Sequence, residues 1–131
     1  MNLNNYTIKS QEAIQKATEI AMGNDQQAIE TGHLLIGILG TDENVISFLT
    51  KKLNINTNTL NTRLDQVIQS YPKASGQQPY LSNDTHTALT KATGFLKEFN
   101  DEFVAIEHLI LGILSGKDKV AQLMKDAGFS K

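Results

Sequence analysis

One pattern occurs twice in this chain. His33-Leu34-Leu35-Ile36-Gly37-Ile38-Leu39 and His108-Leu109-Ile110-Leu111-Gly112-Ile113-Leu114 lie at an offset of 75 residues. The same offset carries Ala13 onto Ala88, Ala17 onto Ala92 and Val45 onto Val120. One register covers most of each half, so the halves are expected to fold as like units. Two units are too few for a solenoid, in which three or more share a core. The chain has 131 residues, the size of one compact domain. The repeat therefore predicts a closed domain with pseudo-twofold symmetry. Its first copy covers about residues 1–71, a linker loop 72–80, and the second copy about 81–131.

Within each copy the apolar period is helical. Ala13, Ala17, Ile20 and Ala21 share one face, as do Ala88, Ala92, Phe95, Leu96 and Phe99. Thr7 and Ser82 stand just ahead of these runs. Both suit an N-cap, where a side-chain oxygen accepts an unpaired backbone N–H. The repeated His-Leu pattern is apolar round most of a helix, which predicts a short buried helix near 33–39 and another near 108–114. Gly37 and Gly112 lie inside these helices, where glycine costs about 1 kcal/mol relative to alanine. Close approach to the Ala-rich helix before each one would offset that cost.

A third helix is predicted near 44–52 and near 118–127. A fourth, near 57–70, carries Leu60, Leu64, Val67 and Ile68 on one face and has no counterpart in the second copy. Pro72 and Pro79 bracket the linker, which reads as an exposed loop. No stretch alternates with period two, so no sheet is predicted. The fold class is all-α: a pseudo-twofold pair of four-helix repeats, the second lacking its last helix.

Charge narrows the function classes. Twelve Lys and Arg stand against 14 Asp and Glu, for a net charge of -2. The longest basic run is Lys51-Lys52, which argues against a nucleic-acid partner. The chain has no cysteine, hence no disulfide and no Cys-based zinc site, as suits a reducing cytosol. No apolar run reaches the length of a membrane span. The start, Met1 to Ser10, lacks the basic and apolar stretches of a secretory signal. These features predict a soluble, cytoplasmic, monomeric domain with neither nucleic acid nor membrane as partner.

No motif for chemistry emerges. The chain has no phosphate-binding Gly-rich loop followed by Lys and Ser or Thr. It has no Cys nucleophile and no Gly-x-Ser-x-Gly turn. No catalytic residue, cofactor or metal is expected. His33 and His108 each open a buried helix, yet neither has a second ligand at helical zinc spacing. Both are read as packing near a helix start and bonding locally, while His86 falls in an exposed first turn. Asp101, Glu102 and Glu107 flank the apolar pair Phe103-Val104. One reading is a helix-capping turn with Phe103 and Val104 plugging the core. The other is an acidic rim around a small apolar binding patch.

The paired His-Leu-Leu-x-Gly-Ile-Leu segments, each behind an Ala-rich helix, resemble the double Clp N-terminal domain of ClpA-, ClpB- and ClpC-type ATPases. The likeness runs from about Asn2 to about Phe129. Thr7-x-x-Ser10-x-x-Ala13 and Asn100 to Leu109 look most like the ClpB type. ClpC-type domains tend to carry Gly-Thr-Glu-His in both copies, with glutamates that help recognise arginine-phosphorylated clients. Here the first copy reads Glu30-Thr31-Gly32-His33, and only the second keeps its acid, Glu107.

The resemblance implies a module that captures exposed hydrophobic segments of unfolded or aggregated proteins. It would present them to the ATPase ring of its own parent chain. The alternative it allows is the docking of adaptor proteins for a protease-linked ClpC- or ClpA-type ATPase. The likeness places the groove where the first helix meets the Asp101–Glu107 turn. The candidate residues are Tyr6, Thr7, Asp101, Phe103, Val104 and Glu107. As changes at the surface, Thr7→Ala and Glu107→Ala are expected to leave stability within about 0.5 kcal/mol while weakening client binding.

Overall fold

The computed structural model describes residues 3–74, residue 76 and residues 78–130. Its elements in chain order are α1 (Ile8–Gly23), β1 (Ala28–Ile29), α2 (Thr31–Leu39), α3 (Glu43–Lys52), α4 (Thr57–Gln69), β2 (Tyr80–Leu81), α5 (Asn83–Glu98), α6 (Ile106–Leu114) and α7 (Lys119–Ala127). The fold is all-α in character, with the two copies related as the offset requires. The ends of the helices show why they form where they do. The Thr7 hydroxyl accepts the Ser10 N–H at 3.1 Å and the Ser82 hydroxyl accepts the Thr85 N–H at 3.2 Å. Asp42, Asn56 and Asp118 cap α3, α4 and α7 in the same manner. Just past α1 and α5, Asp25 and Asn100 take left-handed backbone angles, φ 55° and 57°. Short polar side chains tolerate that region.

α2 and α6 sit at the centre and touch each other, with α1 packed on α2 and α5 on α6. Leu34, Leu35 and Ile38 of α2 are buried, as are Leu109, Ile110 and Ile113 of α6. Burying a side chain of this kind contributes roughly 1.5–3 kcal/mol. The two central glycines explain how close these helices come. A Cβ on Gly37 would strike the Ala13 carbonyl oxygen and lie 3.3 Å from the Ala17 nitrogen. On Gly112 it would strike the Ala88 carbonyl oxygen and lie 3.1 Å from the Ala92 nitrogen. The expected close approach is present in both copies. α4 crosses to the other copy and packs on α7 as well as on α2.

The expectation of no sheet is corrected. β1 and β2 pair in parallel, with Ala28 opposite Tyr80 and Ile29 opposite Leu81. Tyr80, placed in the linker by the sequence, thus belongs to a strand. An isolated parallel bridge joins Tyr6 to Val104. It is the symmetry mate of the strand pair: the offset carries Ile29 onto Val104 and Tyr6 onto Leu81. The Ser82 N–H donates to the Ile29 carbonyl at 3.1 Å, and the Thr7 N–H donates to the Val104 carbonyl at 3.0 Å. Each copy's first helix is therefore stitched at its start to the other copy. Two residues cannot display an alternation, so no periodicity could have revealed these pairings.

Candidate binding surface

The Tyr6–Val104 bridge brings the two sequence-predicted regions together. The Val104 N–H donates to the Asn5 carbonyl at 2.7 Å, completing the link begun by Thr7. Gln11 pins the segment from α1, its side-chain amide donating to the carbonyls of Leu3 and Tyr6. Tyr6 and Thr7 are half-buried, while Asp101 and Glu107 are exposed. Phe103 is 50% exposed, but Val104 is fully buried in the core. Val104 is therefore a core residue and offers a partner only its backbone. The strand pairing turns its side chain inward and Phe103 outward.

Two further apolar residues belong to this region. Ile8, the first residue of α1, is 73% exposed. Phe99, expected on the buried face of α5, caps the end of that helix and is 51% exposed, its ring 6.0 Å from that of Phe95. The offset compares these residues with their counterparts in the first copy. Val104 pairs with Ile29, apolar in both copies, whereas Phe103 pairs with Ala28 and Phe99 with Asn24.

His108 organises the acidic rim. Its Nδ1 accepts the Ala105 N–H at 2.8 Å, and its Nε2 bonds the Asp101 carboxylate at 2.8 Å. Because a backbone N–H can only donate, the proton sits on Nε2 and points at Asp101. Asp101 is thus held against the start of α6. His33 repeats the arrangement in the first copy. It accepts the Glu30 N–H at 2.9 Å and donates to the Gln26 side-chain oxygen at 2.6 Å, and the Gln26 amide donates to the Ile68 carbonyl. Burial holds the His33 pKa down at about 4. Both histidines bond locally at helix starts, as expected from sequence.

No described group of three His, Cys, Asp or Glu could hold a metal. Both ring nitrogens of His108 are engaged. No helix of the described residues is long and apolar enough to cross a membrane. What the surface presents is Ile8, Phe99 and Phe103 beside Asp101, Glu102 and Glu107.

Two helical copies, each stitched at the start of its first helix to the other, define a class of two-repeat all-α domains. Residues 5–127 match the sequence profile of the Clp repeat (R) N-terminal domain, and the chain belongs to that family. It is 45% identical over all 131 residues to the chaperone protein ClpB of Bacteroides thetaiotaomicron, of which it spans 15%. It is 41% identical over 98% of its length to the ClpB of Porphyromonas gingivalis, again spanning 15% of that relative. Among solved structures it superimposes on the Hsp104 N-terminal domain from Candida albicans with a TM-score of 0.84 at 21% identity. That match covers 97% of this chain and 84% of the other. It is thus similar to the N-terminal part of ClpB-type chaperones.

Proposed function

We propose that this domain captures exposed apolar segments of unfolded or aggregated proteins, in the cytoplasm, for an ATPase ring carried by a longer ClpB-type chain. The observation that supports this reading is the placement of Phe103 and Ile8. Both are exposed beside the Thr7–Val104 link and rimmed by acids. Phe103, Phe99 and Ile8 lie near one another, and grouped exposed apolar side chains are what an interaction site presents. A client that covers Phe103 and Phe99 gains roughly 25 cal/mol for each Å² of apolar surface removed from water. Aromatic side chains bury about 150–250 Å² in full, and half of that is already buried here. The gross gain is then a few kcal/mol, while association itself costs at least about 4 kcal/mol. One domain binds weakly, and several domains on one ring would compensate through avidity.

The test is a titration of a reduced, carboxymethylated and therefore permanently unfolded protein into isotope-labelled domain. Signals of Ile8, Phe103 and Glu107 are expected to move. Phe103→Ser is expected to weaken the response severalfold with little change in stability, since the ring is half in water. Shifts confined to Pro72, Pro79 and their neighbours, or none at millimolar client, would refute the reading.

A further inference from the structure

The histidine that opens each central helix holds the same frame in both copies. Ahead of it, Asp25 and Asn100 take the left-handed backbone. The residue that follows donates its N–H back to the preceding helix: Gln26 to the Ala21 carbonyl and Asp101 to the Leu96 carbonyl, both at 2.8 Å. The side chain of the same residue accepts the histidine Nε2–H. Gln26 Oε1 accepts from His33 at 2.6 Å, and Asp101 Oδ2 accepts from His108 at 2.8 Å. The offset makes Gln26 and Asp101 counterparts. One is a neutral amide and the other a carboxylate, so what the copies share is an acceptor and not a charge.

In the second copy this bond stands at one end of the segment that carries Phe103. Asp101 is fixed there by its backbone to α5 and by its side chain to α6. At the other end, Val104 is fixed to Asn5 and Thr7. The chain bends at Glu102 and Phe103, between these two anchors. The His108 side chain is only 6% exposed, so removing its acceptor leaves a buried donor unpaired. Its ring also lies 6.3 Å from the Phe99 ring, beside the second aromatic residue of the surface.

We propose that Asp101 is a positioning residue: by accepting from His108 it holds the bend that presents Phe103, and it does not itself receive the client. A bend already ordered in the free domain spares the client the entropic cost of ordering it. This inference rests on the client-binding reading and adds that, within the acidic rim, Asp101 works through its bond to α6 and not through its charge.

The test compares wild type, Asp101→Ala, Asp101→Asn and Ser82→Ala. Asn keeps an acceptor on a side chain of the same length and removes the charge. Ser82→Ala removes the cap of α5 at the other junction, which lowers stability and leaves the Asp101–His108 bond in place. In titrations with the same carboxymethylated protein, Asp101→Ala is expected to weaken binding severalfold. Asp101→Asn is expected to restore it, and Ser82→Ala to leave it as in wild type. An Asp101→Asn variant as weak as Asp101→Ala would overturn the inference, because the client would then be using the charge. Binding by Asp101→Ala as in wild type would overturn it too, as would an equal loss in Ser82→Ala.

A client-free arm separates this failure from failure of the function itself. Backbone order parameters of Glu102 and Phe103, measured by relaxation, are expected near the rigid value of about 0.85 in wild type and Asp101→Asn, and to fall towards about 0.6 in Asp101→Ala. Equal values in wild type and Asp101→Ala, high or low, would overturn the inference. If the client moves no signal in wild type, the client-binding reading falls, and these order parameters alone decide whether Asp101 holds the bend.

Discussion

His33 shows how one buried side chain ties stability to pH. Its Nδ1 already accepts a backbone N–H, so a second proton could enter only by breaking the cap of α2. The folded-state pKa lies at about 4, below the ordinary 6.5. Between those values the unfolded chain binds a proton that the folded chain does not, so stability rises with pH through this window. The contribution is complete above pH 6.5 and fades as pH falls towards 4. Denaturation midpoints at pH 7 and pH 4.5 are expected to differ through this residue by on the order of 3 kcal/mol at most. His33→Gln is expected to flatten that part of the profile. The glycines give a sharper contrast. Gly37→Leu and Gly112→Leu are expected to destabilise by about 1–3 kcal/mol or more through overpacking. Gly94, in the middle of α5, has nothing within 4 Å of a Cβ. Gly94→Ala is therefore expected to stabilise by about 0.4–1 kcal/mol, and urea midpoints check all three.

At the scale of elements, the caps decide what a mutation at the surface means. Thr7 accepts the Ser10 N–H and donates to the Ser10 hydroxyl at 3.0 Å. Thr7→Ala is then expected to cost about 0.5–2 kcal/mol as a lost N-cap, contrary to the near-neutral change its surface position suggested. Ser82→Ala is expected to cost a similar amount at α5, and Thr7→Ser little; thermal melts of the three variants check this. The helices themselves were legible in the sequence, because apolar spacing over nine or more residues is strong evidence of period. The strands were not, because β1 and β2 have two residues each. At the candidate surface, Glu107 was read as a surface residue and is exposed, whereas Phe103, read either as a core plug or as part of a patch, is half exposed. Val104 was not settled, since a loop residue between Phe103 and Ala105 has no periodicity from which to read its side. Only the partner strand, far away in sequence, turns it inward.

For the whole molecule, the pseudo-twofold relation was the most legible feature, since one offset fixed it before any helix was drawn. What it left out was that the copies are interlocked and not merely adjacent. Val104→Ala is expected to cost on the order of 2 kcal/mol and to lower the stability of both copies in one cooperative transition. Helix signals of α1 that persist after those of α5 have melted would show the copies to be independent. The interlock also sets an order of events during synthesis. The α1–α2 and α5–α6 hairpins join neighbours in sequence and can form as soon as each is made. The residues ahead of α1 are made before the whole first copy, yet their partner Val104 belongs to the second. Closing that long loop brings its entropic penalty at the end of folding. The segment ahead of α1 thus waits unpaired until the second copy has been made, and the surface around Ile8 and Phe103 comes into being only when that copy closes over it.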